Sequence, residues 1–274
     1  NPSTIEFTNP TTPNTTVTVN ALPVLAANTG TASVCENGTV TLANAQAGGL
    51  WSTANNTVAT INAVTGVVTG INPGTTTLTY TFTNANGCTN SVSTNFTVNA
   101  LPAAVITANG PTAFCQGGSV TLTANAGSSY LWSTGATTQS ITVNNTSDVT
   151  VTVTNANGCS ATSAVTSVVV NANPVANITS LNGNTFCQGG SVALVSSPGA
   201  SYSWSNGAFT QSITVTSTST LTVTVTNADG CSATSAPFTV TMNPAPVATV
   251  TANGPTTFCA GGSVVLTAPT AAAY

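Results

Sequence analysis

From Ser147 to Thr154 the chain reads SDVTVTVT, so that Val149, Val151 and Val153 alternate with Thr150, Thr152 and Thr154. A period of two sends successive side chains to opposite faces of an extended strand, so the valines predict an inward face and the threonines an outward one. Leu221, Val223 and Val225 repeat the pattern further on. Asn86-Gly87, Asn157-Gly158 and Asp229-Gly230 close the alternating stretches, and both dipeptides favour the positive-φ positions of tight hairpins. After Cys159, SATSAVTSVVVNA predicts the returning last strand. GGSVTLTANA predicts an early strand opened by a glycine turn, and SSYLWSTG the strand that carries a core aromatic. Roughly seven short strands with turn signals about every 8–12 residues predict an all-β fold of immunoglobulin-like sandwiches.

The pattern is repeated along the chain. VTVTNANGCSATSA at 151–164 returns at 223–236 with one change, Asn157 to Asp229. Cys35, Cys115, Cys187 and Cys259 stand at one phase of the repeat, at spacings of 80, 72 and 72, and Trp51, Trp132 and Trp204 follow the first three as expected core aromatics. Short linkers carry proline: NALP at 20–23, NALP at 99–102, NANP at 171–174 and MNPAP at 242–246. The expected organisation is a head-to-tail array. Residues 1–20 are the terminal strands of a preceding domain, 21–100, 101–172 and 173–244 are whole domains, and 245–274 are the first strands of an incomplete one. The last residue, Tyr274, corresponds to Tyr130 and Tyr202, each two positions before a tryptophan. A domain cut there cannot bury its core unaided, which predicts an excerpt of a longer array or completion by a strand from another chain.

Composition narrows the function. Of 274 residues 41% are hydrophobic and 1% charged, against about 25% charged in ordinary domains. Low charge with this much hydrophobicity is not the signature of disorder, and about a fifth of the residues are threonine, which suits strands. There is no Lys, Arg or His. Their absence removes Ser–His and Cys–His dyads, Schiff-base lysines and any basic surface for nucleic acid, together with lysine-based isopeptide crosslinks and every trypsin-type cleavage site. The four acids, Glu6, Glu36, Asp148 and Asp229, are scattered, and the cysteines are too far apart in sequence for a compact metal motif. The expectation is no enzyme, no catalytic residue, no cofactor and no metal. No apolar run approaches the roughly 20 residues of a membrane helix, so no membrane insertion is expected in this segment. The opening NPSTIEFTNPTTP does not resemble a signal peptide, which predicts a removed leader or an internal piece.

The succession FCQGGSVTLTA, YLWSTGATTQSITV and TVTVTNANGCSATSA is similar to the Ig-like and polycystic-kidney-disease-like repeats of giant surface adhesins of Bacteroidota, which include substrates of type IX secretion. The stretch WSTANNTVATINAVTGVVTGINPGTTTLTYT, beginning at Trp51, instead resembles the bacterial Ig-like group 2 module. Together the two resemblances cover nearly the whole chain. They imply a secreted cell-surface stalk, adhesin or extracellular filament, and bring no catalytic residue with them; the export route follows from resemblance alone.

Seven cysteines at fixed phase predict disulfides and an oxidising, extracellular setting, with buried free thiols as the plainer alternative. Pairing within domains gives Cys35–Cys88, Cys115–Cys159 and Cys187–Cys231. Yet Cys115 precedes an early strand at one end of the sandwich and Cys159 follows the hairpin at the other, roughly 20–26 Å away for strands of six to eight residues. A disulfide tolerates about 7 Å between Cα atoms. Pairing across junctions gives Cys35–Cys159 and Cys115–Cys231, with Cys88 joined to an earlier domain and Cys187 and Cys259 to later ones. Frequency favours the first scheme and geometry the second, with a lean to the second.

The remaining signals are weaker. Sequons at Asn14, Asn37, Asn55, Asn95, Asn144, Asn145 and Asn177 are expected by chance in so Asn- and Thr-rich a chain. Tyr130 with Trp132, and Tyr202 with Trp204, fit a core better than a sugar-stacking platform. Asp148 and Asp229, expected in loops, are too few per domain for Ca²⁺. Threonine-lined edges lack guarding lysines, which makes like chains candidate partners beside the neighbouring domains of the same chain. The expected function is a disulfide-stiffened stalk or spacer; the rivals are a ligand- or glycan-binding array and an accessory region of a secreted enzyme.

Overall fold

A computed structural model describes residues 3–7 and 15–270, with side chains from Val17 onward. Asn14 and Tyr274, and with Tyr274 the expectation of a core cut short, lie outside the described residues, as does the side chain of Glu6. The described residues are all β, with no helix among them. They form two compact units, Asn1–Thr112 with Ser119–Val168, and Ala113–Gly118 with Val169–Tyr274.

In the first unit, Ser3–Phe7 pairs antiparallel with Thr15–Val19. The first complete repeat has a four-stranded sheet in the order Ser33–Cys35, Thr89–Asn99, Gly74–Thr83, Leu50–Thr53, and a three-stranded sheet of Thr39–Thr41, Val67–Gly70 and Ala59–Ile61. The opening strand runs parallel to the closing one, Cys35 opposite Asn99. Both sheets supply one core, including Leu42, Trp51, Val68, Leu78, Tyr80 and Phe96.

The second repeat divides its strands more finely. Ile106–Ala108, Val120–Ala124 and Ser140–Val143 form one sheet; Ser129–Trp132, Val151–Thr154 and Ser160–Thr162 form another; Ser147–Val149 pairs with the start of Thr166–Asn171. The valines of the alternating stretch are buried, each removing apolar surface worth about 1.5–3 kcal/mol. On the other face, the hydroxyls of Thr152 and Thr162 meet at 2.9 Å, as do those of Thr154 and Ser160. Trp132 is buried and its indole N–H donates to the Thr138 carbonyl at 2.7 Å. Tyr130 is half-buried, its hydroxyl accepting from the Gly127 N–H at 2.9 Å.

Thr152 faces Thr162, but Val149 faces Thr166, one residue further along than an uninterrupted ladder allows. The extra residue is a β-bulge, and Ser163 fills it. Its buried hydroxyl accepts the Val151 N–H at 3.1 Å and donates to the Ala164 carbonyl at 2.9 Å. The first repeat has no bulge: Gly74–Thr83 and Thr89–Asn99 pair without a break.

The second unit repeats this arrangement. Ile178–Ser180, Val192–Ser196 and Ser212–Val215 form one sheet, and Ser201–Trp204, Val223–Thr226 and Ser232–Thr234 another. Thr185–Cys187 runs parallel to Phe238–Asn243, which pairs antiparallel with Ser219–Leu221. Val192, Leu194, Trp204, Val223, Val225 and Val240 form the core. The Trp204 indole donates to the Thr210 carbonyl at 2.8 Å, and Ser235 fills the equivalent bulge. Ala113–Cys115 also belongs to this unit, parallel to Val169–Asn171. Beyond residue 245 only Thr251–Ala252 and Leu266–Thr267 pair among the described residues, and Val247, Val250 and Phe258 are exposed.

The hairpins take a definite form, and one expectation, the placing of Asp148, is corrected. The Asn-Gly and Asp-Gly hairpins are three-residue connections: the Asn155 N–H donates to the Cys159 carbonyl, and only Gly158 takes positive φ, at 78°. The Asn155 carboxamide oxygen accepts the N–H groups of Asn157 and Cys159, holding a longer loop than the dipeptide alone favours. Asp148 lies on strand Ser147–Val149 rather than in a loop, accepting a hydrogen bond from the Ser167 hydroxyl.

Replacing Ser163 with Ala leaves the buried Val151 N–H without an acceptor. We expect a loss of about 1–3 kcal/mol in urea unfolding, whereas Ser160→Ala, at an exposed hydroxyl pair, loses well under half of that.

Candidate functional site: the repeat junctions

The linkers follow the last strand of each repeat, and their first two residues are Asn-Ala at 20–21, 99–100 and 171–172. Within the first unit, the Asn99 carbonyl accepts the Glu36 N–H at 2.9 Å. The adjacent Ala100 carbonyl accepts the Asn155 carboxamide at 2.9 Å. Asn155 thus does two things at once, closing its own hairpin and holding the linker. Glu36 follows Cys35, and Cys159 ends the hairpin that Asn155 opens. The backbone bonds therefore bring these two cysteines to the same stretch of linker.

Cys35 and Cys159 are joined by a disulfide, with 5.6 Å between Cα atoms and 124 residues between them in sequence. The second unit repeats the arrangement. Gln116 N–H donates to the Asn171 carbonyl at 2.8 Å, Asn227 donates to the Ala172 carbonyl at 2.9 Å, and Cys115 is bonded to Cys231 with 5.5 Å between Cα atoms. Asn173 adds a bond to the Gln116 carbonyl at 3.2 Å. Cys159 and Cys231 are buried.

The within-domain pairs Cys35–Cys88, Cys115–Cys159 and Cys187–Cys231 are absent among the described residues. Strand Thr89–Asn99 gives the reason: Cys88 precedes its first residue and Cys35 pairs opposite its last. The extended strand separates the two by roughly 33 Å. In the second unit Cys187 stands opposite Asn243 while Cys231 precedes Ser232, so they too occupy opposite ends of the closing stretch.

Cys88, Cys187 and Cys259 are free thiols, the last two exposed. Two of them sit in half of the same arrangement. Asn84 donates to the Ala21 carbonyl at 3.2 Å, as Asn155 does to Ala100, and the Cys88 sulfur lies 3.7 Å from the Asn20 carbonyl. The Gln188 N–H donates to the Asn243 carbonyl at 2.8 Å, as Gln116 does to Asn171. The sequence signal for this device is the Asn that opens each hairpin four residues before its cysteine, which the neighbouring Asn-Gly dipeptide overshadows.

Among the described residues, no group of three or more His, Cys, Asp or Glu side chains could hold a metal ion, and no helix is long and apolar enough to cross a membrane. Asp229 lies in the hairpin that ends at Cys231, its N–H bonded to Asn227.

No protein-family model matches the chain, and no curated protein matches it. Solved structures similar to it include fibronectin(III)-like modules of Clostridium thermocellum CbhA, at 12% identity, over 50% of this chain and 93% of that one, with a TM-score of 0.31. A Ca²⁺-stabilized adhesin of an Antarctic bacterium, described as helping it reach out and bind ice, is 16% identical over 88% of this chain and 81% of that one, with a TM-score of 0.30. A 1.5-MDa bacterial ice-binding adhesin is 14% identical over 78% and 95%, with a TM-score of 0.29.

Replacing Asn155 with Ala removes the side-chain bonds to Asn157, Cys159 and Ala100 together. We expect a loss of about 1–3 kcal/mol in denaturant unfolding and slower re-formation of the Cys35–Cys159 bond after reduction, followed by timed alkylation.

Proposed function

We propose that the chain is a structural segment of a large extracellular protein, a spacer whose junctions between successive domains are fixed covalently. The domains are 21–100, 101–172 and 173–244, flanked by 1–20 and 245–274. The observation that carries this reading is the crossing of each disulfide from one repeat to the next, where a bond serving only the stability of a domain would close within it. By the loop-closure estimate a crosslink over more than about 100 residues stabilises by about 4–5 kcal/mol, and here the closed loop contains the linker. A linker held by two backbone carbonyls and bypassed by a disulfide has few bending modes left.

The remaining details fit the same reading. Disulfides persist in oxidising surroundings, which supports a position outside the cytoplasm, on a cell surface or in a secreted fibre. The resemblance to Bacteroidota adhesin repeats supports export by the type IX route, and the lack of trypsin-type sites suits exposure to proteases. Partners are the neighbouring domains of a longer chain, where Cys88, Cys187 and Cys259, free thiols within residues 1–274, would be bonded, Cys88 to an earlier domain and the other two to later ones. We assign no catalysis, cofactor, nucleic acid or membrane insertion to these residues.

Small-angle scattering of the full chain before and after reduction tests the spacer. Reduction is expected to broaden the pair-distance distribution while circular dichroism stays unchanged. An identical distribution in both states would show that the disulfides do not set the junctions, and the reading would fail.

A further inference from the structure

The first repeat differs from the other two around its tryptophan. Trp132 and Trp204 each donate their indole N–H to a loop carbonyl, of Thr138 and Thr210. Trp51 is buried less completely, at 6% exposure against 2% for each of them, and its indole N–H has no acceptor among the described residues. The loop that would supply one is replaced by the longer stretch 54–66. No fully buried side-chain nitrogen or oxygen lacks a partner among the described residues, so this nitrogen is one that solvent reaches. Trp51 lines a groove of about 390 Å³, the volume of a small ligand site.

A second substitution opens the same place. The residue two before the tryptophan is Tyr130 or Tyr202 in the later repeats and Gly49 here. The tyrosine hydroxyl that engages the loop backbone comes instead from Tyr80 on the adjacent strand. It accepts the Gly49 N–H at 2.7 Å and donates to the Gln46 carbonyl. A Cβ at Gly49 would lie 2.4 Å from the Tyr80 ring, so glycine is required for the ring to lie against this backbone. One aromatic side chain is thus moved to the neighbouring strand, and the space beside the loop stays open.

The groove's chemistry defines its ligand. None of its lining residues is charged. Thr41 and Thr65 line it together with Trp51, and neither hydroxyl has a hydrogen-bond partner among the described residues. Val64, 77% exposed, adds apolar surface at its edge. A neutral ring with hydroxyl groups on its edge and C–H groups on its faces matches that mixture; a charged ligand would lose its hydration with no counter-charge. We propose that this groove binds a neutral saccharide, whose hydroxyl oxygen accepts the Trp51 indole N–H while its C–H face lies on Val64. The site is independent of the spacer reading, since a saccharide can bind whether or not the junctions are stiff.

The test is titration of the full, isotopically labelled chain with glucose, galactose, mannose and N-acetylglucosamine, following the three indole N–H signals by NMR. Trp51→Phe identifies the signal concerned, and Val64→Tyr, at an exposed position, fills the groove without touching the core. We expect a saturable shift of the Trp51 signal with at least one sugar, no movement of the Trp132 and Trp204 signals, and affinity weakened at least about tenfold, or 1.4 kcal/mol, by Val64→Tyr. The proposal is overturned if none of the sugars moves the Trp51 signal, if all three signals move together, or if Val64→Tyr leaves the response intact.

Discussion

The closing strand of each repeat separates two cysteines, and the covalent plan of the chain depends on that separation. One cysteine stands beside the strand's last residue, through the parallel pairing of a short opening strand, and the other precedes the stretch at its far end. A disulfide cannot bridge that length. Each cysteine can be bonded only by a partner brought to its own end of the sandwich, and the next repeat along the chain brings one.

The bringing together is done by weak bonds. Asn155 and Asn227 close their hairpins and, from the same side chain, donate to the linker carbonyls of Ala100 and Ala172. Each such bond is worth about 0.5–1.5 kcal/mol, little beside the entropy a disulfide removes, but it sets the position from which the sulfurs meet. The chain has almost no charge with which to orient its domains, so amide and hydroxyl hydrogen bonds carry that task. The paired threonine hydroxyls of the outward faces and the buried serines of the bulges belong to the same uncharged chemistry.

Much of the fold was legible because period-two alternation is a direct record of strand faces: Val149, Val151 and Val153 had to face one way. The tryptophans were legible as core because each follows an early strand at fixed phase. The bulges were not, since Ser163 and Ser235 look like any serine in a polar stretch and their role exists only once Val151 and Val223 present an N–H. The hairpins were legible from their Asn-Gly and Asp-Gly dipeptides but their length was not, because Asn155 shapes the loop from a position the Asn-Gly signal does not include. For the cysteines, strand length left two schemes in play, and only the pairing of the opening strand with the closing one fixes which ends they occupy. The groove beside Trp51 had a faint signal, glycine at 49 where the later repeats have tyrosine, but its meaning required Tyr80 on the adjacent strand.

The central claim is that covalent bonds run between repeats and not within them. Peptide mapping of the non-reduced chain after a non-tryptic digest, with free thiols alkylated beforehand, tests it most directly. The account predicts linked peptides containing Cys35 with Cys159 and Cys115 with Cys231, and alkylated Cys88, Cys187 and Cys259. Linked peptides containing Cys35 with Cys88, or Cys115 with Cys159, would contradict it.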